Sequence, residues 1–88
     1  MKKFKISVDK VTGHCSCNYK EGDVFYIQGM NTPEKEFCGG AFLILYPIQV
    51  SLHSGGRFNF EKNPLCKTQL ACPDKGKVIF SIELLTAE

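Results

Sequence analysis

From Lys3 to Val11 apolar and polar positions alternate: Phe4, Ile6 and Val8 fall on one side, and Lys3, Lys5, Ser7 and Asp9 on the other. A period of two with β-branched residues is the pattern of a half-buried strand. Thr12-Gly13 ends it, and Glu21-Gly22-Asp23 turns the chain into a second strand, Asp23-Val24-Phe25-Tyr26-Ile27-Gln28. Gly29 to Glu36, with Pro33, reads as a loop. Val78-Ile79-Phe80-Ser81-Ile82-Glu83-Leu84 alternates again, entered through a turn at Pro73-Asp74-Lys75-Gly76.

Between Cys38 and Ser54 the apolar positions Ala41, Phe42, Leu45, Ile48, Val50 and Leu52 fit a mostly buried helix over about 38–54. Gly55-Gly56 supplies its C-terminal stop, and Pro47 is expected to kink it. The run Leu43-Ile44-Leu45-Tyr46 would also suit a buried strand. Strands first, a helix in the middle and a strand last predict an α+β fold: a small antiparallel sheet packed against one helix.

Eighty-eight residues fill one domain, 1–88, with no repeat or linker to divide it. The longest apolar run, Ala41 to Ile48, is about half of a membrane span, and the basic start Met1 to Lys10 lacks the apolar core of a signal peptide. A cytoplasmic protein that does not contact a membrane is therefore expected. A net charge of +2 is too small to point to nucleic acid and leaves a protein partner open. The segment Gly55-Gly56-Arg57-Phe58-Asn59-Phe60 echoes an aromatic–basic strand that stacks on single-stranded nucleic acid, but it stands alone, and Phe58 and Phe60 are expected to pack by the core. Gly39-Gly40 lacks the Lys-Ser/Thr of a phosphate-binding loop.

Five cysteines change the picture: Cys15, Cys17, Cys38, Cys66 and Cys72. In a reducing compartment such thiols serve as metal ligands, redox groups or small packing residues. All sit in or beside turns, in His14-Cys15-Ser16-Cys17, Phe37-Cys38-Gly39-Gly40, Leu65-Cys66 and Ala71-Cys72-Pro73-Asp74. Ligands on turns converge without distorting a sheet, and four thiolates close a tetrahedron around Zn²⁺ or hold an iron–sulfur cluster. Cys15 and Cys17 could chelate as a pair, although neither a repeated Cys-x₂-Cys knuckle nor a ferredoxin spacing is present. Cys38, just before the expected helix, is the position where unpaired amides and the helix dipole favour thiolate. His14 adjoins the cysteine pair, while His53 falls near the helix end, where a partly cationic ring complements the dipole. Asp23 and Asp74 occupy turn positions suited to capping local amides.

The order Gly-x-Cys at residue 15, Gly22-Asp23-x-Phe25, Thr32-Pro33, Phe37-Cys38-x-x-Ala41, Tyr46-Pro47, Leu52 before Gly55-Gly56, and Cys72-Pro73-Asp74 with Val78-Ile79-Phe80 resembles a known family. It is a family of short, uncharacterised cysteine-containing proteins of mainly anaerobic bacteria and archaea. The likeness runs from Gly13 to Glu83. It implies a helix across Cys38 to Leu52 and selects Cys15, Cys38 and Cys72 as the matching cysteines, leaving Cys17 and Cys66 as additions of this chain. Where the family carries a Gly-His pair after the first cysteine, this chain has Asn18-Tyr19.

The expectation is a metal or iron–sulfur site formed by Cys15, Cys17, Cys38 and Cys72, with Cys66 and His14 as substitutes. One alternative is a thiol redox or sulfur-handling protein using Cys38. Another is a non-catalytic interaction domain whose cysteines only pack. No acid–base pair or triad marks an enzyme.

Overall fold

The computed structural model describes residues 2–13, 18–33, 37–73 and 76–86. In chain order the elements are β1 (Lys3–Val11), β2 (Val24–Gln28), α1 (Gly39–His53), β3 (Cys66–Ala71) and β4 (Val78–Thr86). The strands form one antiparallel sheet in the order β2-β1-β4-β3, so the architecture is α+β. The alternation of β1 sets its faces: Phe4, Ile6 and Val8 are buried, whereas Lys3 and Asp9 are exposed. β4 presents Val78, Phe80, Ile82 and Leu84 to the same side, with Ile6 opposite Ile82 and Val8 opposite Phe80.

Helix α1 lies on that face: its first turn stands beside Pro73 of the β3–β4 hairpin, and Gln49, near its other end, donates to the Gly29 and Asn31 carbonyls just past β2. It buries one stripe, Ala41, Leu45, Gln49 and Leu52, at helical spacing. Leu43 is 75% exposed, and Tyr46 and Pro47 also reach the surface. Burying each large side chain of this core contributes about 1.5–3 kcal/mol. Gly55, at φ +97, takes the left-handed position past the helix end, and the Gly56 N–H closes the turn on the Ser51 carbonyl at 2.8 Å. Among the described residues no helix is long and apolar enough to cross a membrane.

The strand pattern misses one element. β3 lacks a run of alternating apolar residues because a register shift between Lys67 and Leu70, with Gln69 at φ +58, interrupts the pleat. Phe60 corrects another expectation: Phe58 packs on the core, but Phe60 is 77% exposed, with its ring 6.0 Å from that of Phe58.

Candidate metal centre

One end of the two-layer structure brings together the turns that carry Cys38 and Cys72. Cys38 is the N-cap of α1: its backbone is extended (φ −64, ψ 121), and its carbonyl accepts the Phe42 N–H at 2.9 Å. The side chain makes no capping hydrogen bond, and the first helical turn carries no carboxylate. The N–H groups that open the helix follow Cys38 directly. From the other side, the Cys38 N–H donates to the Tyr19 hydroxyl at 2.6 Å. Tyr19 is buried and its ring is wedged among Phe25, Phe37 and Phe80, with centroids 5.5 to 5.7 Å away. Edge-on packing of this kind fixes the ring, and through its hydroxyl the position of Cys38.

Cys72 leaves β3 at the same end. Its N–H donates to the Val78 carbonyl at 2.9 Å, and its carbonyl accepts the Gly76 N–H at 3.0 Å, so the hairpin holds it from both sides. Gly40 records how closely the two turns approach. A Cβ placed on it would lie 3.8 Å from the Cys38 sulfur and 3.9 Å from Cγ of Pro73, the residue after Cys72. The helix start and the β3–β4 hairpin therefore meet around one glycine.

His14, Cys15, Ser16 and Cys17 lie outside the described residues, as does Asp74. The residues flanking the first group are described, and both flanks reach this end of the molecule. Thr12 donates its N–H to the Lys77 carbonyl at 2.6 Å, beside the Cys72 hairpin, and the chain resumes at Asn18 (φ +58) and Tyr19, which holds Cys38.

Cys66 stands elsewhere. It pairs with Glu83, whereas Cys72 bonds to Val78, and at about 3.3 Å per residue those partners are roughly 17 Å apart along β4. Burial pushes the Cys66 thiol up from its ordinary value, and the Glu83, Glu61 and Asp9 carboxylates push the same way. It lines an open cavity of about 330 Å³ with Glu61, Lys62, Asn63 and Thr68. There Glu61 accepts the Thr68 N–H at 2.8 Å, which holds its carboxyl below the usual range.

His53 is the last residue of α1, and its carbonyl accepts a hydrogen bond from the Lys2 ammonium. Asp23 caps its turn by accepting the Lys20 N–H at 2.8 Å. Among the described residues no group of three or more His, Cys, Asp or Glu is placed to hold a metal ion; the described part of this end contributes two thiols. Tyr19 is the positioning residue that pattern reading passes over, because a tyrosine in an irregular segment has no periodicity to reveal it. No protein-family model, curated protein or solved structure matches the chain at a significant level.

Proposed function

We propose that this protein binds a metal through thiolates, with Cys38 and Cys72 as one half of the ligand set and Cys15 and Cys17 as the other. The approach of the Cys38 sulfur and the Cys72–Pro73 turn around Gly40 carries the reading. The donors are soft, so the chemistry fits Zn²⁺ or an iron–sulfur cluster, and a closed set of four would make the site structural. The amides opening α1 favour the ionised form of Cys38 that a ligand needs. His14 is the substitute donor nearest in sequence. Cys66, at the far end of β3 with its thiol pushed up, is left out of the set. The family resemblance, the single domain and a reducing, cytoplasmic setting belong to the same proposal.

Anaerobic purification with measurement of metal, sulfide and absorption spectrum tests it. The expected result is about one metal site per chain, lost in Cys38→Ser and Cys72→Ser and kept in Cys66→Ser. Metal-free protein that folds fully would overturn it, as would equal loss in all three variants.

A second reading, a redox thiol at Cys38, is favoured by its place at the start of α1 and the carboxylate-free first turn. It predicts rapid alkylation of Cys38 below pH 7 without chelator, whereas a bound metal protects the thiol until chelator is added.

A further inference from the structure

The two edges of the sheet are finished differently. At β3 the outward groups of Thr68 are occupied: its N–H donates to Glu61 and its carbonyl accepts the Lys67 ammonium at 2.7 Å. The register shift at Lys67–Leu70 further spoils that edge for pairing. Apart from one occupied carbonyl, β2 shows none of these devices among the described residues. Its five residues, Val-Phe-Tyr-Ile-Gln, contain no charge, proline, glycine or register shift.

The bonds at both ends of β2 give its phase. The Gly29 N–H donates to the Lys2 carbonyl at 2.7 Å, and the Val8 N–H donates to the Asp23 carbonyl at 2.9 Å. Hydrogen-bonded pairs alternate along an antiparallel ladder, so Phe25 and Ile27 turn their main-chain groups toward β1. Val24, Tyr26 and Gln28 turn theirs outward, and no loop or side chain among the described residues takes them, except that the Gln28 carbonyl accepts the Asn31 N–H at 3.1 Å. A carbonyl has a second lone pair, so that oxygen can still accept another bond.

We propose that β2 pairs with β2 of a second copy of this chain, antiparallel and centred on Tyr26. That register is self-complementary. Tyr26 faces Tyr26, and Val24 faces Gln28 at both ends, so every outward N–H meets an outward carbonyl in about six main-chain bonds. Phe25 then stands across from Ile27 on the core side, an aromatic–β-branched pair of the kind that stabilises sheets. The uncharged strand brings no like charges together. Two sheets become one of eight strands with two-fold symmetry, and the free edges that remain are the occupied β3 edges.

Sedimentation of the full chain under reducing conditions, over a wide concentration range, tests the pairing. Wild type is expected to rise from the 9.9 kDa of one chain toward twice that mass. Tyr26→Lys and Tyr26→Glu each place like charges on the two-fold axis and are expected to weaken the dimer severalfold. An equimolar mixture of the two restores it, because position 26 faces position 26. Tyr26→Thr, uncharged with the main chain intact, stays dimeric. Circular dichroism checks each fold; should the lysine variant unfold beside Lys3 and Lys5, the glutamate variant, which lies opposite Lys5, carries the test. A wild type that stays at one chain's mass overturns the proposal and leaves β2 to a different partner. A dimer indifferent to charge at position 26, or a mixture that fails to recover, overturns the register.

Discussion

Single side chains decide how well the thiol end is held. The Tyr19 hydroxyl accepts the Cys38 N–H, so Tyr19→Phe removes that partly buried hydrogen bond at a cost of about 1–2 kcal/mol. The variant is expected to fold with a lowered Tm and, if Cys38 holds a metal, to bind it about tenfold more weakly, as read in a chelator competition. Gln49 is the one polar residue in the buried stripe of α1. Its amide N–H₂ donates to the Gly29 and Asn31 carbonyls at 2.9 and 3.1 Å, while its oxygen is buried with no partner among the described residues. Gln49→Glu would turn a carboxylate toward two carbonyls, and denaturant titration is expected to show a loss of about 3 kcal/mol or more at pH 7. Cys66 makes a prediction about pH. Its thiol is pushed above the ordinary 9.0, so it holds its proton more tightly folded than unfolded. That contribution to stability is complete below pH 9.0 and is lost as pH rises through the folded value; alkylation of Cys66 in the native protein should therefore lag behind that of a free thiol near neutrality. None of these roles is written in a pattern. Tyr19 sits in an irregular stretch, and Gln49 looks like an ordinary interruption of an apolar helix.

At the scale of elements, legibility follows regularity. β1 and β4 announce themselves because each buries alternate residues on one face, and α1 because Ala41, Leu45 and Leu52 recur at helical spacing before two glycines. β3 is silent because its register shift and the left-handed Gln69 erase the period of two. The glycines at the two ends of α1 differ in their tolerance. A Cβ on Gly40 meets only ordinary contacts, whereas one on Gly56 would stand 2.7 Å from the Ser51 carbonyl. Gly56→Ala must therefore shift main chain and is expected to cost about 1–3 kcal/mol, measured as a lower urea midpoint with unchanged slope. Gly40→Ala, in the first turn of the helix, should be neutral or slightly stabilising in the same assay.

For the whole molecule, the placement of Cys38 just before the expected helix and of Cys72 just before the expected turn at Pro73 was legible. Their partner set was less so. Sequence keeps Cys66 as a substitute ligand, and only the pairing of β3 with β4 shows it a strand's length from Cys72. If metal joins the helix start to the β3–β4 hairpin, chelation should lower the Tm of wild type and leave that of Cys38→Ser unmoved.

The pairing of β1 with β4 also sets a schedule for the chain. β1 is synthesised before every other element, and the neighbour that completes its ladder, β4, after all of them. Until β4 emerges, β1 has only the short β2 to pair with, so its other edge is unmatched while the residues between are made. The sheet can be completed only once the chain through Thr86 has been made, and the pairing that completes it joins the two strands most distant in sequence, the kind of contact that forms slowly.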